Sequence, residues 1–165
     1  MADAARIRAA QAGDAIAMSE VLDALLPLVG RLCGSIALDA GPDAAQEALI
    51  AVMRDLRGLR DPERLVPWAR RIAAREAIRH ARRARAEPRA EGALAELPAP
   101  GDPALASDVC RVLEALAPEQ RAILVLRDLE GLGEAEAAAE LGIALGTAKS
   151  RLHRARAAFR ARWSS

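Results

Sequence analysis

The sequence predicts an all-α protein made of two small helical domains, and three observations carry that expectation. Its 165 residues include a single Thr, a single Phe and no Tyr, while Ala, Leu and Arg abound. The abundant residues lose little in a helix, whereas β-branched and aromatic residues populate strands. Apolar stripes at three- and four-residue spacing mark segments in both halves of the chain. Between them lies "EPRAEGALAELPAPGDPALAS", residues 87–107, with Pro88, Pro98, Pro100 and Pro103. Proline removes a backbone donor and biases its predecessor away from helix, so this stretch reads as a linker.

The N-terminal half reads as four helices. The first is expected over about 2–12, the second over roughly 15–35 with Pro27 as a bend or break. The third starts at "PDAAQEALIAVMRDL". There Asp43 is placed to cap the amide three residues on while Gln46 reaches back, a capping box. Ala45, Leu49, Val52, Met53 and Leu56 form its apolar stripe, and Gln46, Glu47, Arg54 and Asp55 project elsewhere. After the turn "LRDPER" comes the fourth helix, "LVPWARRIAAREAIRHARRAR". From Arg54 to Arg85 there are eleven arginines against Asp55, Asp61, Glu63 and Glu76, so this region is a basic patch.

The C-terminal half is more sharply patterned. "SDVCRVLEAL" is one helix and "PEQRAILVLRDLEG" the next, with Pro118 suited to a first helical position and Gly131 to a C-cap. "GEAEAAAEL", the turn "GIAL" and a basic helix complete a helix-turn-helix, whose second helix enters the DNA major groove. Residues 146–163 hold Lys149 and five arginines and no acid, in a chain of formal net charge +1. Ala148, Leu152, Ala155 and Phe159 would pack inward. Thr147, Ser150, Arg151 and Arg154 share the opposite face, flanked by Lys149, His153 and Arg156. Asp128, Glu130, Glu134, Glu136 and Glu140 crowd the preceding segment, so positive charge is collected where a polyanion can meet it.

Other chemistry finds little footing. Cys33 and Cys110 form no CxxC pair and His80 and His153 are scattered, so neither a disulfide framework nor a zinc site is expected, and both thiols should be reduced, as in a cytoplasm. The N-terminus lacks a signal-peptide layout, and no apolar run is expected to approach the ~20 residues that span a bilayer. No membrane insertion is expected. No phosphate loop, metal spacing or nucleophile motif suggests an enzyme or a cofactor.

"LAPEQRAILVLRDLEGLGEAEAAAELGIALGTAKSRLHRARAAFR" resembles region 4 of bacterial sigma factors of the extracytoplasmic-function type, and "DAAQEALIAVMRDLRGLRDPERLVPWARRIAAREAIRHARR" resembles their region 2. The resemblance implies a region 2-like domain at 1–87, a linker at 88–106 and a region 4-like helix-turn-helix domain at 107–165. It implies a factor that brings RNA polymerase core to promoters and has no catalysis of its own. Asp43, Gln46, Glu47 and Arg54 would meet the β′ clamp helices, and Arg71, Arg75, Arg79, Arg82 and Arg83 the melted downstream element. Thr147, Lys149, Ser150, Arg151 and Arg154 would read the upstream element as duplex, with region 4 also docking on the β flap. An anti-sigma factor is the expected regulatory partner. The chain departs from the family pattern at Leu49 and Met53, where aromatics are usual, at Arg75 and Arg79, where Asn and Asp are usual, and at Ala144, where a Ser commonly caps the recognition helix. Two other readings share part of the pattern: a LuxR-like helix-turn-helix regulator, and a sigma-like adaptor that sequesters a protein partner.

Overall fold

The computed structural model describes residues 3–86 and 103–163, and the side chains of 103–107 lie outside what it describes. All regular structure among the described residues is helical. Helix α1 (Ala4–Ala12) starts where the Asp3 carboxylate accepts from the Arg6 amide at 2.8 Å and ends at Gly13, whose φ of 103° suits a residue without a Cβ. Helix α2 (Ala15–Ala37) is capped by Asp14, which accepts from the amides of Ile16 and Ala17.

Pro27 neither ends nor divides α2. An interior proline costs ~3 kcal/mol or more, yet Leu25, Val29, Leu32, Cys33 and Ile36 are all buried on the same helix, and burial of each large apolar side chain returns ~1.5–3 kcal/mol. Packing outweighs the lost hydrogen bond. The helical stretch Ala15–Gly58 also contains an 18-residue window of mean hydropathy 1.7, long and apolar enough to qualify as a membrane span. Half of that window is buried within the protein, so its apolar surface serves the core.

Helix α3 (Gly41–Asp55) begins one residue before the expected start at Pro42. The chain enters it directly from a 3-10 turn (Leu38–Ala40), and its N-cap, Ala40, makes no side-chain cap. The anticipated capping box at Asp43 and Gln46 is therefore not formed, and Asp43 sits within the first turn, where a carboxylate favours the helix dipole. The corner depends on glycine: a Cβ on Gly41 would lie 2.7 Å from Gly34 Cα. Gly41→Ala is expected to cost ~1–3 kcal/mol through forced backbone shifts, lowering the melting temperature by about 2–12 °C. A melt indistinguishable from the parent would show that this corner relaxes freely.

The buried face of α3 is also set back by a residue from the expected stripe. Ala44, Ala48, Ala51 and Val52 are buried, Leu49 is half-buried and Met53 is 47% exposed. Small alanines let α3 lie close to α2 and α4, and the larger side chains end on the rim. Leu56, in a 3-10 turn (Leu56–Gly58), is fully buried. Helix α4 (Leu65–Ala86) follows a third such turn (Pro62–Arg64), capped by Asp61. Leu65, Ala69, Ile72, Ala73, Ala77 and Ala81 face the core. Cys33 packs there, its Sγ 3.7 Å from the Ala73 carbonyl. Burial, aided by the Glu76 carboxylate, pushes its thiol up to about 12. Both cysteines are free.

Helix α5 (Pro103–Glu114) starts inside the stretch read as linker, because proline is tolerated in a first helical turn. The rest of that stretch, 87–102, lies outside the described residues. Helix α6 (Pro118–Leu124) is opened by Gln120, whose side chain accepts from the Ala117 amide at 3.1 Å. The single helix expected up to Gly131 instead widens after Leu124 into a π turn (Val125–Leu129), in which the Glu130 amide donates to the Val125 carbonyl at 2.9 Å. Gly131 then takes a φ of 70°. Helices α7 (Glu134–Leu141) and α8 (Leu145–Trp163) are joined through Gly142, in the left-handed region with φ 65°. The two helical halves also touch: α2 packs against α6 and the π turn, α4 packs against α6 and α7, and the buried residues form one contiguous core.

Candidate nucleic-acid interface

Helix α8 is anchored by Ala148, Leu152 and Ala155, all buried, with Phe159 half-buried and stacked on Trp163 at a ring separation of 5.8 Å. Ala137 and Ala138 of α7 are buried too, so small side chains at the crossing allow the close approach of a helix-turn-helix. The outward face then carries Thr147, Lys149, Ser150, His153 and Arg154, all exposed. Helical hydrogen bonds shape this face: the Ser150 hydroxyl donates to the Thr147 carbonyl at 3.0 Å, and Arg154 Nε to the Ser150 carbonyl at 3.3 Å. The helix starts at Leu145, so Thr147 lies within its first turn and not at the cap.

Two of the expected cations are less free than their spacing suggests. Arg156 pairs with Asp128, its Nε 3.2 Å from the carboxylate, and that hydrogen bond raises the guanidinium's pKa further. Arg151 is half-buried and turns into a cleft shared with α4, near Glu119. Lys149 Nζ stands 3.7 Å from Glu134, a loose exposed contact.

On the other half, Arg71, Arg75, Arg79, Arg82 and Arg83 are all exposed along α4. Glu76, almost buried at 9% exposure, orients two of them, accepting from Arg79 at 2.6 Å and lying 3.4 Å from Arg75. Sequence spacing gave it no role beyond an acid in a basic run. On α3, Asp43, Gln46, Glu47 and Arg54 are exposed together. Ile50 and Met53, 43% and 47% exposed, share that face. A core assignment for Met53 hid this, although 43, 46, 47, 50, 53 and 54 repeat at helical spacing. Arg54 forks onto the neighbouring Asp55 at 2.8 and 3.0 Å, and Glu47 lies 3.9 Å from Arg79. The face expected for protein docking and the face expected for DNA thus adjoin.

The same order of elements appears in known proteins. Residues 20–87 match the model for Sigma-70 region 2, and residues 109–159 that for Sigma-70, region 4. The ECF RNA polymerase sigma factor SigM of Mycobacterium tuberculosis H37Rv is 35% identical over 162 residues, an alignment covering 94% of this chain and 81% of SigM. The chain belongs to the ECF sigma factors of the sigma-70 family. ECF sigma factor SigE of Mycolicibacterium smegmatis is 37% identical over 124 residues, covering 69% of this chain and 48% of SigE. A solved structure of the sigma factor RpoE, in complex with the anti-sigma factor NepR from Bartonella quintana, shares the fold. Its TM-score is 0.72 at 23% identity, over 88% of this chain and 96% of that one. As a sigma factor, the protein serves RNA polymerase in promoter-directed transcription initiation. The basic helices α4 and α8 lie one in each matched region.

Proposed function

We propose that this sigma factor divides promoter recognition between its two basic helices. The outward face of α8 reads the upstream element as duplex, Thr147, Ser150 and Arg154 reaching base edges while Lys149 and Arg151 meet the backbone. The α4 row Arg71, Arg75, Arg79, Arg82 and Arg83 holds the melted downstream strand. The exposed α3 face, Asp43, Gln46, Glu47 and Arg54 with Ile50 and Met53 beside them, docks on the β′ clamp helices, and the C-terminal half docks on the β flap. The single supporting observation is the pairing of an exposed, acid-free α8 face with a row of exposed α4 arginines in a region 4 and region 2 order. Arginine forks match phosphate and guanine edges, and phosphate contacts supply most of the affinity.

The factor has no catalysis or cofactor of its own in this reading, works in the cytoplasm without membrane insertion, and is held by an anti-sigma partner. The likeness to RpoE in its complex with NepR supports the last point. The test is run-off transcription. Purified protein added to core polymerase should yield discrete transcripts from promoters of its own genome, and neither component alone should. A protein that binds those promoters but starts no transcript with core polymerase would defeat the reading.

A further inference from the structure

Arg79 lies in the middle of the α4 row, one turn from Arg75 on one side and from Arg82 and Arg83 on the other. Its guanidinium is held along one edge. Nε donates to Glu76 Oε2 at 2.7 Å, and Nη2 lies 2.6 Å from the same oxygen. Nη2 also stands 3.4 Å from His80 Nε2 and 3.9 Å from Glu47. None of these contacts uses Nη1, and the side chain is 58% exposed. The side edge of the guanidinium is thus engaged, while its end, Nη1 with the outer hydrogen of Nη2, is left for a ligand.

Glu76 is suited to this hold. It is buried next to Ala77 and one turn from Ala73, both in the core, so its carboxylate has little room to follow a ligand. Arg75 is treated differently, with one longer contact from Nε to Glu76 Oε1 at 3.4 Å and 62% exposure. A guanidinium free to turn suits a phosphate, whose oxygens accept from many directions. A fork with a fixed end suits a base edge. Arginine bonds guanine in two places, O6 and N7, and both atoms are open in an unpaired strand.

We propose that Glu76 is a positioning residue that aims the end of Arg79 at a guanine in the melted strand, so that Arg79 reads a base where its neighbours hold phosphates. This rests on the reading of α4 as the strand-holding helix. The carboxylate acts in two ways. It offsets much of the Arg79 charge, which weakens attraction to phosphate in general. It also fixes the fork through a side chain that packing itself holds in place. Arg79 stands where the family pattern usually has Asp, so the selection belongs to this chain's own sequence.

The test offers the full chain, bound to core polymerase, a fork-junction DNA with an upstream element from its own genome and a randomised non-template strand. Captured strands are sequenced. The parent should enrich guanine at one position. Glu76→Gln, of the same shape but uncharged, should cut that enrichment roughly tenfold. It should also tighten capture of the library as a whole, because a carboxylate beside the strand is gone, whereas a merely structural defect would weaken both. Arg79→Lys keeps the charge and loses the fork, and should cut the enrichment equally. Arg71→Ala should keep the enrichment and flatten the salt dependence by about one phosphate's worth. If circular dichroism shows Glu76→Gln unfolded, Glu76→Asp, which keeps the charge and withdraws the carboxylate, takes its place. With Arg71→Ala still flattening the salt dependence, a parent that enriches no guanine, or an enrichment that survives Arg79→Lys, would overturn the base reading. Loss in Arg79→Lys with none in the folded Glu76 variant would overturn the positioning. Capture indifferent to both Arg71→Ala and Arg79→Lys, in sequence and in salt dependence, would fail the strand-holding reading of α4 itself.

Discussion

Arg154→Ala is expected to weaken binding of the isolated factor to its upstream promoter duplex by ~1–3 kcal/mol and to relax the preference at one or two base positions. Arg154 is exposed in the middle of the outward face of α8, one turn beyond Ser150, and no acid pairs with it among the described residues. Arg162, near the end of the helix, is exposed with its guanidinium on the Ala158 carbonyl. Arg162→Ala should lower affinity evenly across sequences and flatten the salt dependence by about one phosphate's worth. A binding-site selection separates the two effects. Identical selected sequences from both variants would mean that the base-reading face of α8 is turned elsewhere.

Glu47→Arg should weaken binding to core polymerase by roughly 2 kcal/mol, about thirtyfold, if Glu47 is a charge contact at the β′ clamp helices. Its side chain is 52% exposed and lies 3.9 Å from Arg79, so reversal leaves the bundle's core untouched. Arg75→Ala is the matched control on α4: its guanidinium is 62% exposed, and its loss should spare core binding but slow promoter opening. Quantitative pull-downs and opening assays on both variants check the division. Normal core binding by Glu47→Arg would remove α3 from the polymerase contact.

Helix type and order were legible because caps and turns are local chemistry. Asp3 and Asp14 cap the first two helices, Pro118 opens α6, and Gly142 turns α7 into α8, each through groups within a few residues. Faces were legible only where large and small side chains agreed. On α8, Ala148, Leu152 and Ala155 marked the core correctly, whereas on α3 the alanines took the interior and left Met53 outside. A hydrophobicity pattern weights Met above Ala, but close helix approach weights the smaller volume. The break offered at Pro27 did not form for a related reason: its local cost is visible in sequence, and the packing that offsets it comes from helices distant in the chain.

Long-range pairing was not legible at all. Glu119, Glu130 and Glu140 looked like ordinary solvated acids, and nothing in the spacing of Arg31, Arg70 and Arg82 joins them to residues 37 to 99 positions away. Arg31 left one trace. It is the lone base in the 23-residue α2, where a charge needs a partner or water. The packing of the two helical domains against each other was hidden for the same reason, since the halves meet through the surfaces those residues provide.

The π turn at Val125–Leu129 carries an evolutionary consequence. Such a turn is an α-helix with one residue inserted, so a single codon separates this geometry from an uninterrupted helix. Here the widened turn sends Asp128 to Arg156 within its own half and Glu130 to Arg31 in the other. Loss of one codon in this stretch would rotate everything after it by about 100° around the helix axis, and Glu130 would leave Arg31. Insertion and deletion, more readily than point substitution, would therefore retune how firmly related chains hold their halves together, without substituting a residue of α4 or α8.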